Sequence, residues 1–156
     1  FTQAVINTYQ DAIIAAGYSV MTSFIPMLMD TGGNSGSQAS VSVIRAITLN
    51  EIQFKDMFKV VWKESRVALL CGLTLAVCNF FKLIIIDGAQ VSVSLTVCLT
   101  LIVTVFVAKV VGAVLPIVAK KLGFDPTVMA SPLITTVVDV LSLMIFFNIA
   151  NIVLGI

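Results

Sequence analysis

Four stretches of this sequence are apolar for about twenty residues each, and no other feature limits its fold so strongly. A helix needs about that length to cross a hydrocarbon core of about 30 Å. Inside lipid every backbone polar group must be satisfied within the protein, which leaves helices and closed barrels. The first stretch runs from about Ala12 to Met29 and continues into a polar, glycine-rich run over 30–49. The second covers Arg66 to Ile86, the third Val91 to Ala119, and the fourth Leu133 to Leu154. Composition points the same way, with 59% of residues hydrophobic and 11% charged, against about 45–50% and about 25% in soluble domains. The expectation is an all-α membrane protein, a bundle of four long transmembrane helices. The third stretch is the longest, and Pro116 near its end is expected to terminate or kink it. Nine Lys and Arg against eight Asp and Glu exclude the strongly basic footprint of a nucleic-acid binder.

Basic residues orient the spans, because cytoplasmic loops collect Lys and Arg. Arg45, Lys55, Lys59, Lys63 and Arg66 lie between the first and second spans, and Lys120 and Lys121 between the third and fourth. The turn Asp87-Gly88-Ala89-Gln90 has none. Both basic loops are therefore expected in the cytoplasm and both termini outside. No basic segment followed by a cleavage site precedes the first span, so an upstream span is expected, giving at least five in the parent domain. Between Asn50 and Ser65, apolar Ile52, Phe54, Met57, Phe58, Val60, Val61 and Trp62 are interleaved with charges. That pattern predicts a short amphipathic helix at the cytoplasmic face with Trp62 at headgroup level. Cys71, Cys78 and Cys98 lie in apolar stretches without a CxxC pairing or any histidine, so neither a zinc site nor a disulfide framework is indicated and all three read as buried.

An ionisable side chain deep in a span normally faces the bundle interior or a water-filled path. Lys82 lies near the external end of its span and is placed to snorkel. Lys109 is deeper, and reads either as half of an ion pair or as a charge that tunes a pore. Asp139 is the sharpest case. Ser131 and Pro132 read as the N-cap and first residue of a helix, which puts Asp139 about 12 Å into the membrane at 1.5 Å per residue. Thr135 and Thr136, at i−4 and i−3, add oxygen to the same face. The group reads as a hard oxygen site facing water, or alternatively as a buried bridge between Asp139 and Lys109.

The second anomaly is Asp30-Thr31-Gly32-Gly33-Asn34-Ser35-Gly36-Ser37-Gln38-Ala39-Ser40, which follows Pro26 closely and is flanked by apolar residues. At membrane depth, non-helical or weakly helical backbone is allowed only where it is buried or lines a cavity. Its glycines permit close helix approach, while Asn34, Ser37 and Gln38 offer side-chain oxygens. A small-residue packing face is the alternative reading.

Pro26 with Thr31 to Ala39, together with Pro132-Leu133-Ile134-Thr135-Thr136-Val137-Val138-Asp139, resembles the membrane domain of the MgtE family of magnesium channels and transporters. Val111 to Pro116 and Leu122-Gly123-Phe124-Asp125-Pro126 fit the same family in the same order. The resemblance implies that residues 1–156 correspond to the transmembrane domain without its first membrane helix and without the family's N-terminal cytosolic domains. It implies a homodimer whose ion path follows the two-fold axis, lined by the first and last spans of each copy. Asp139 matches the family's magnesium-binding aspartate, and Thr135 a position whose carbonyl faces the ion. Gly33, Asn34, Ser37, Gln38 and Thr136 are implied as lining the path. Ser37 departs from the family's usual Asn, and Lys109 from its usual uncharged residue.

Magnesium takes near-octahedral oxygen coordination and sheds water reluctantly. Two copies of Asp139 about a two-fold axis would balance one divalent ion that keeps its hydration shell. A chain without histidine offers poor ligands to softer metals. The expected function is Mg2+ transport across the cytoplasmic (inner) membrane, with Mg2+, other divalent cations, the lipid bilayer and a second copy as partners and no nucleic acid. A sodium- or proton-coupled exchanger and a non-transporting structural subunit are the alternatives. No HExxH, GxSxG or paired catalytic carboxylate points to an enzyme.

Overall fold

The computed structural model describes residues 19–129 and 132–154, and among them every regular element is helical. A single helical turn, Ser19–Thr22, leads into α1, Ile25–Thr48. Pro26 stands in the first turn of α1, where its missing N–H removes no helical bond and its fixed φ suits the start. Beyond the far end, Asn50 adopts φ 56°. Its N–H donates to the Ile47 carbonyl at 3.1 Å, and that of Glu51 to the Ala46 carbonyl at 2.9 Å, which satisfies carbonyls of the last turn. Residues 12–18 of the expected first span lie outside the described residues.

The glycine-rich run, expected to be weakly helical or non-helical, is α-helical throughout. Each glycine costs a helix about 1 kcal/mol relative to alanine. Here Gly32, Gly33 and Gly36 are all buried against other helices, so close packing offsets their weak propensity.

A short 3-10 turn, Phe54–Asp56, precedes α2, Met57–Ile85. The separate amphipathic helix expected over residues 50–65 is not present: Met57 to Ser65 form the first turns of α2 itself. Neither glycine nor proline interrupts the chain between Met57 and Cys71, so the interfacial stretch and the span are one rod. Trp62 projects from it, 61% exposed.

α3, Val91–Lys121, continues through Pro116 to the lysines instead of ending at it. Neighbouring helices make a proline tolerable inside a spanning helix, and Pro116 is buried in that packing. The helix closes on Gly123 at φ 82°, with Gly123 N–H donating to Lys120 and Phe124 N–H to Ala119. The Asp125 carboxylate then accepts the N–H and hydroxyl of Thr127 at 2.9 and 2.7 Å. Those bonds hold its pKa below the usual carboxylate range. α4, Pro132–Leu154, starts at the expected proline; Ser131, the expected cap, lies outside the described residues.

Among the described residues three helices are long and apolar enough to cross a membrane: Phe54–Ile85, Val91–Lys121 and Pro132–Leu154. α1, with 24 residues, is about 36 Å long at 1.5 Å per residue but carries the polar run. α3 is central and packs on α1, α2 and α4, while α1 also packs on α4. One apolar cluster holds Leu28, Leu83, Val97, Leu143 and Phe146, and another, at the opposite end, Val43, Ile47, Val60, Ala113 and Ile117. Cys98 is buried, but Cys71 and Cys78 are exposed. Both stand on α2 at positions that its packing on α3 leaves uncovered, where a span presents apolar side chains to lipid.

Between the clusters α1 and α3 meet backbone to backbone. A Cβ placed on Gly112 would stand 2.1 Å from the Gly36 carbonyl oxygen, and one on Gly36 3.1 Å from the Ala108 carbonyl. Gly32 faces Thr104, Val138 and Ser142 with equally little room. Hydroxyls in the helices turn back onto their own backbone: Thr96 to Ser92, Thr100 to Thr96, and Ser142 to Val138. This removes a donor from an environment without water.

Lys109 does not reach Asp139. Its ammonium lies 3.8 Å from a carboxylate oxygen of Glu64, both side chains being buried. The early start of α2 carries Glu64 alongside α3, which a separate interfacial helix would not have done. Lys82 pairs with Asp87 across the α2–α3 turn.

Two outcomes follow for thermal unfolding in detergent. Gly112→Ala should destabilise by at least the ~1–3 kcal/mol typical of overpacking, and Gly72→Ala by less, because its Cβ would meet Ile102 Cα at 3.3 Å. Glu64→Ala should cost about 3–5 kcal/mol by stranding a buried ammonium, whereas Glu64→Leu combined with Lys109→Met should recover most of that loss.

Candidate cation path

The three glycines of α1 divide their work by position. Gly32 and Gly36, one turn apart, sit against α3 and α4. Gly33 is turned towards α4 alone. A Cβ on it would lie 3.2 Å from Thr135 Cγ2 and 3.8 Å from Asp139 Oδ1. Without that Cβ, the carboxylate of α4 stands beside the backbone of α1.

A cleft of about 200 Å³ opens at this place, lined by Met29, Asp30, Gly33, Asn34, Thr135 and Asp139. Asp30, Gly33 and Asn34 share a helix face because they are three and four residues apart. Thr135 and Asp139, four apart, do the same on α4. Asp30 and Asn34 are exposed, and Asp139 is half-buried. The Thr135 and Thr136 hydroxyls both donate to the Pro132 carbonyl, at 3.0 and 2.9 Å, and Thr135 turns its methyl group towards Gly33.

Four of the seven residues expected at the path thus line one cleft: Gly33, Asn34, Thr135 and Asp139. Ser37, Gln38 and Thr136 are not among its lining residues. Ser37 and Gln38 stand a turn further along α1, and Thr136 is exposed. Asp30 is the residue that sequence reasoning passed over. Its signal was available, since it opens the polar run and lies four residues before Asn34.

The polar chemistry of the lining is mainly oxygen, from two carboxylates, one amide and one hydroxyl, with the Met29 thioether beside them. Among the described residues no three His, Cys, Asp or Glu side chains gather into a protein-built metal cage. Two carboxylates with space beside them suit a cation that keeps part of its water, as Mg2+ does, better than one that needs six or more protein ligands.

Comparison with known proteins places this cleft inside a matched region. The MgtE family model, described as a divalent cation transporter, matches residues 25–149, which include every lining residue. The protein named magnesium transporter MgtE of Thermus thermophilus is 33% identical over 153 residues, 98% of this chain and 33% of that protein. The proteins of the same name from Bacillus subtilis and Enterococcus faecalis are 31% and 28% identical, over 95% and 96% of this chain and 32% of each relative. The chain therefore spans about a third of the length of the relatives it matches.

Proposed function

The chain belongs to the MgtE family of divalent cation transporters, and from that premise we propose that it carries Mg2+ across the cytoplasmic membrane along a path shared by two copies. α1 crosses the membrane together with α2, α3 and α4. The basic loops lie on the cytoplasmic side, and the termini of this chain lie outside. Asp139 is the central ligand, with Thr135 beside it and Gly33 and Asn34 opposite.

The observation that carries this reading is the cleft. It brings together, from helices far apart in sequence, an aspartate and a polar glycine-bearing turn. Half a coordination shell on the surface of one chain is what a two-fold axis would complete. Two Asp139 carboxylates facing across that axis balance the charge of a divalent ion, and the remaining coordination positions stay with water. Ser37 and Gln38 extend the same polar stripe along α1 towards its basic end, where they would meet the hydrated ion rather than bind it.

Asp30 belongs to the path as a second pair of carboxylates. It raises the local cation concentration next to Asp139 and strengthens attraction for a divalent over a monovalent ion, since the Coulomb energy scales with ionic charge.

Mg2+ titration of the detergent-solubilised protein tests the assignment. A ligand bound only by the folded form at 100 times its Kd adds about 2.7 kcal/mol of stability; the wild type should show this and Asp139→Ala should not. Uptake by Asp139→Ala should fall to background, and unchanged uptake in a folded variant would end the assignment. Asp30→Asn should keep Mg2+ binding but weaken it about tenfold, or about 1.4 kcal/mol. Wild-type affinity in that variant would remove Asp30 from the path.

A further inference from the structure

The charge of this chain is gathered at one end of the bundle. Seven of its nine basic residues, Arg45, Lys55, Lys59, Lys63, Arg66, Lys120 and Lys121, lie at or beyond the ends of α1 and α3 and along the first turns of α2. Glu51, Asp56 and Asp125 are the acidic residues exposed or half-buried in the same region. Asp56 is occupied by Lys59 at 3.3 Å and by the Gln53 N–H at 3.2 Å.

Within this end, Ile47, Ile52, Gln53, Phe54, Ile117, Lys120 and Lys121 enclose a second cavity of about 200 Å³. Both lysines are held at fixed places on its wall. The Lys120 ammonium donates to the Ile47 carbonyl at 3.4 Å, and the Lys121 ammonium lies 3.7 Å from the centre of the Phe54 ring. Each partner takes one side of an ammonium that has three N–H donors, so both keep donors for a third group. Two lysines that already have partners at the cavity lose less freedom when an anion arrives than unpartnered side chains would.

The surroundings identify the source of that anion. Leu49, Phe58, Trp62, Leu122 and Phe124 are all exposed around this end, Phe58 at 80%. So much bare apolar surface beside lysines is unfavourable in water and suits the boundary between headgroups and acyl chains. A soluble anion would need none of it. Basic pockets between spanning helices are also where anionic headgroups bind.

We propose that the cavity between Lys120, Lys121 and Phe54 is a binding site for the phosphate headgroup of an anionic phospholipid, whose acyl chains run along the exposed apolar surface beside it. The volume admits a phosphodiester and not a whole lipid. The site stands apart from the cleft at Asp30 and Asp139, sharing no residue with it, and does not depend on which ion the chain carries.

The test uses the whole chain in nanodiscs of phosphatidylcholine alone and of phosphatidylcholine mixed with phosphatidylglycerol, with the unfolding midpoint as the readout. Phosphatidylglycerol should raise the midpoint of the wild type by several degrees. Lys120→Gln combined with Lys121→Gln should abolish that rise while unfolding like wild type in phosphatidylcholine. Lys59→Gln, whose lysine lies outside the cavity, should keep the rise. Equal loss in Lys59→Gln would mean a diffuse basic surface and overturn the site, as would an undiminished rise in the double variant. Should the double variant unfold early in phosphatidylcholine, Lys121→Arg, which keeps charge and ring contact, must retain the rise; its loss there also overturns the proposal. Inorganic phosphate added to phosphatidylcholine discs should change nothing, and stabilisation equal to that by phosphatidylglycerol would assign the cavity to a soluble anion.

Discussion

The structure depends on one contact in which side chains take almost no part. At Gly36 and Gly112 two helices meet through their backbones, with a carbonyl oxygen of one filling the space that a Cβ of the other would need. Lipid supplies no hydrophobic force to push spanning helices together, so their association rests on van der Waals packing, and packing strengthens as the axes approach. From that crossing the rest of the arrangement follows. α3 is held to α1 tightly enough to present its other faces to α2 and α4, and α4 comes near enough to α1 for Asp139 to stand beside Gly33.

Apart from the buried Ser40 and Thr104 hydroxyls and the Asn79 amide nitrogen, which have no hydrogen-bond partner, polar groups in this bundle are either satisfied locally or placed where something else will satisfy them. Most hydroxyls take the first course by bonding to a carbonyl one turn back along their own helix. Glu64 and Lys109 take it as a buried ion pair 3.8 Å apart, each offsetting the charge of the other. Asp30, Asn34 and Asp139 take the second course: they face a cleft at the surface of the chain. The separation between a sealed interior and an open polar face is what gives the proposed ion path its physical sense. The lysines at the basic end do the same on another surface, held by a carbonyl and an aromatic ring while keeping donors outward.

The long apolar helices were the most legible part of the fold. The expected bounds of α3 and α4 differ from Val91–Lys121 and Pro132–Leu154 by one or two residues, because Pro132 and the Asp87-Gly88 turn mark them chemically. The helicity of the glycine-rich run was not legible, since glycine propensity argues against it and only packing against the neighbouring helices outweighs that propensity. Nor was the partner of Lys109. Asp139 and Glu64 were equally suitable by charge, and what decided was that α2 starts at Met57 and runs straight past α3. Cys71 and Cys78 looked buried because their neighbours are apolar, but in a spanning helix an apolar neighbourhood marks the lipid face as readily as the core. At the cleft, Gly33, Asn34, Thr135 and Asp139 were legible from residue type and resemblance. Asp30 was overlooked, although it belongs to the same helix face.

By itself the sequence determined the solvent of this protein, its helical class, its basic end and the type of atom offered to a cation. These depend on composition along the chain, which local chemistry dictates. Only the tertiary structure decided which glycines are packing surfaces and which one opens a cleft, which carboxylate meets Lys109, and which lysines share a cavity. Those distinctions depend on the distance between residues remote in sequence, and helices of nearly uniform apolar character carry little periodicity to reveal the side each neighbour will occupy.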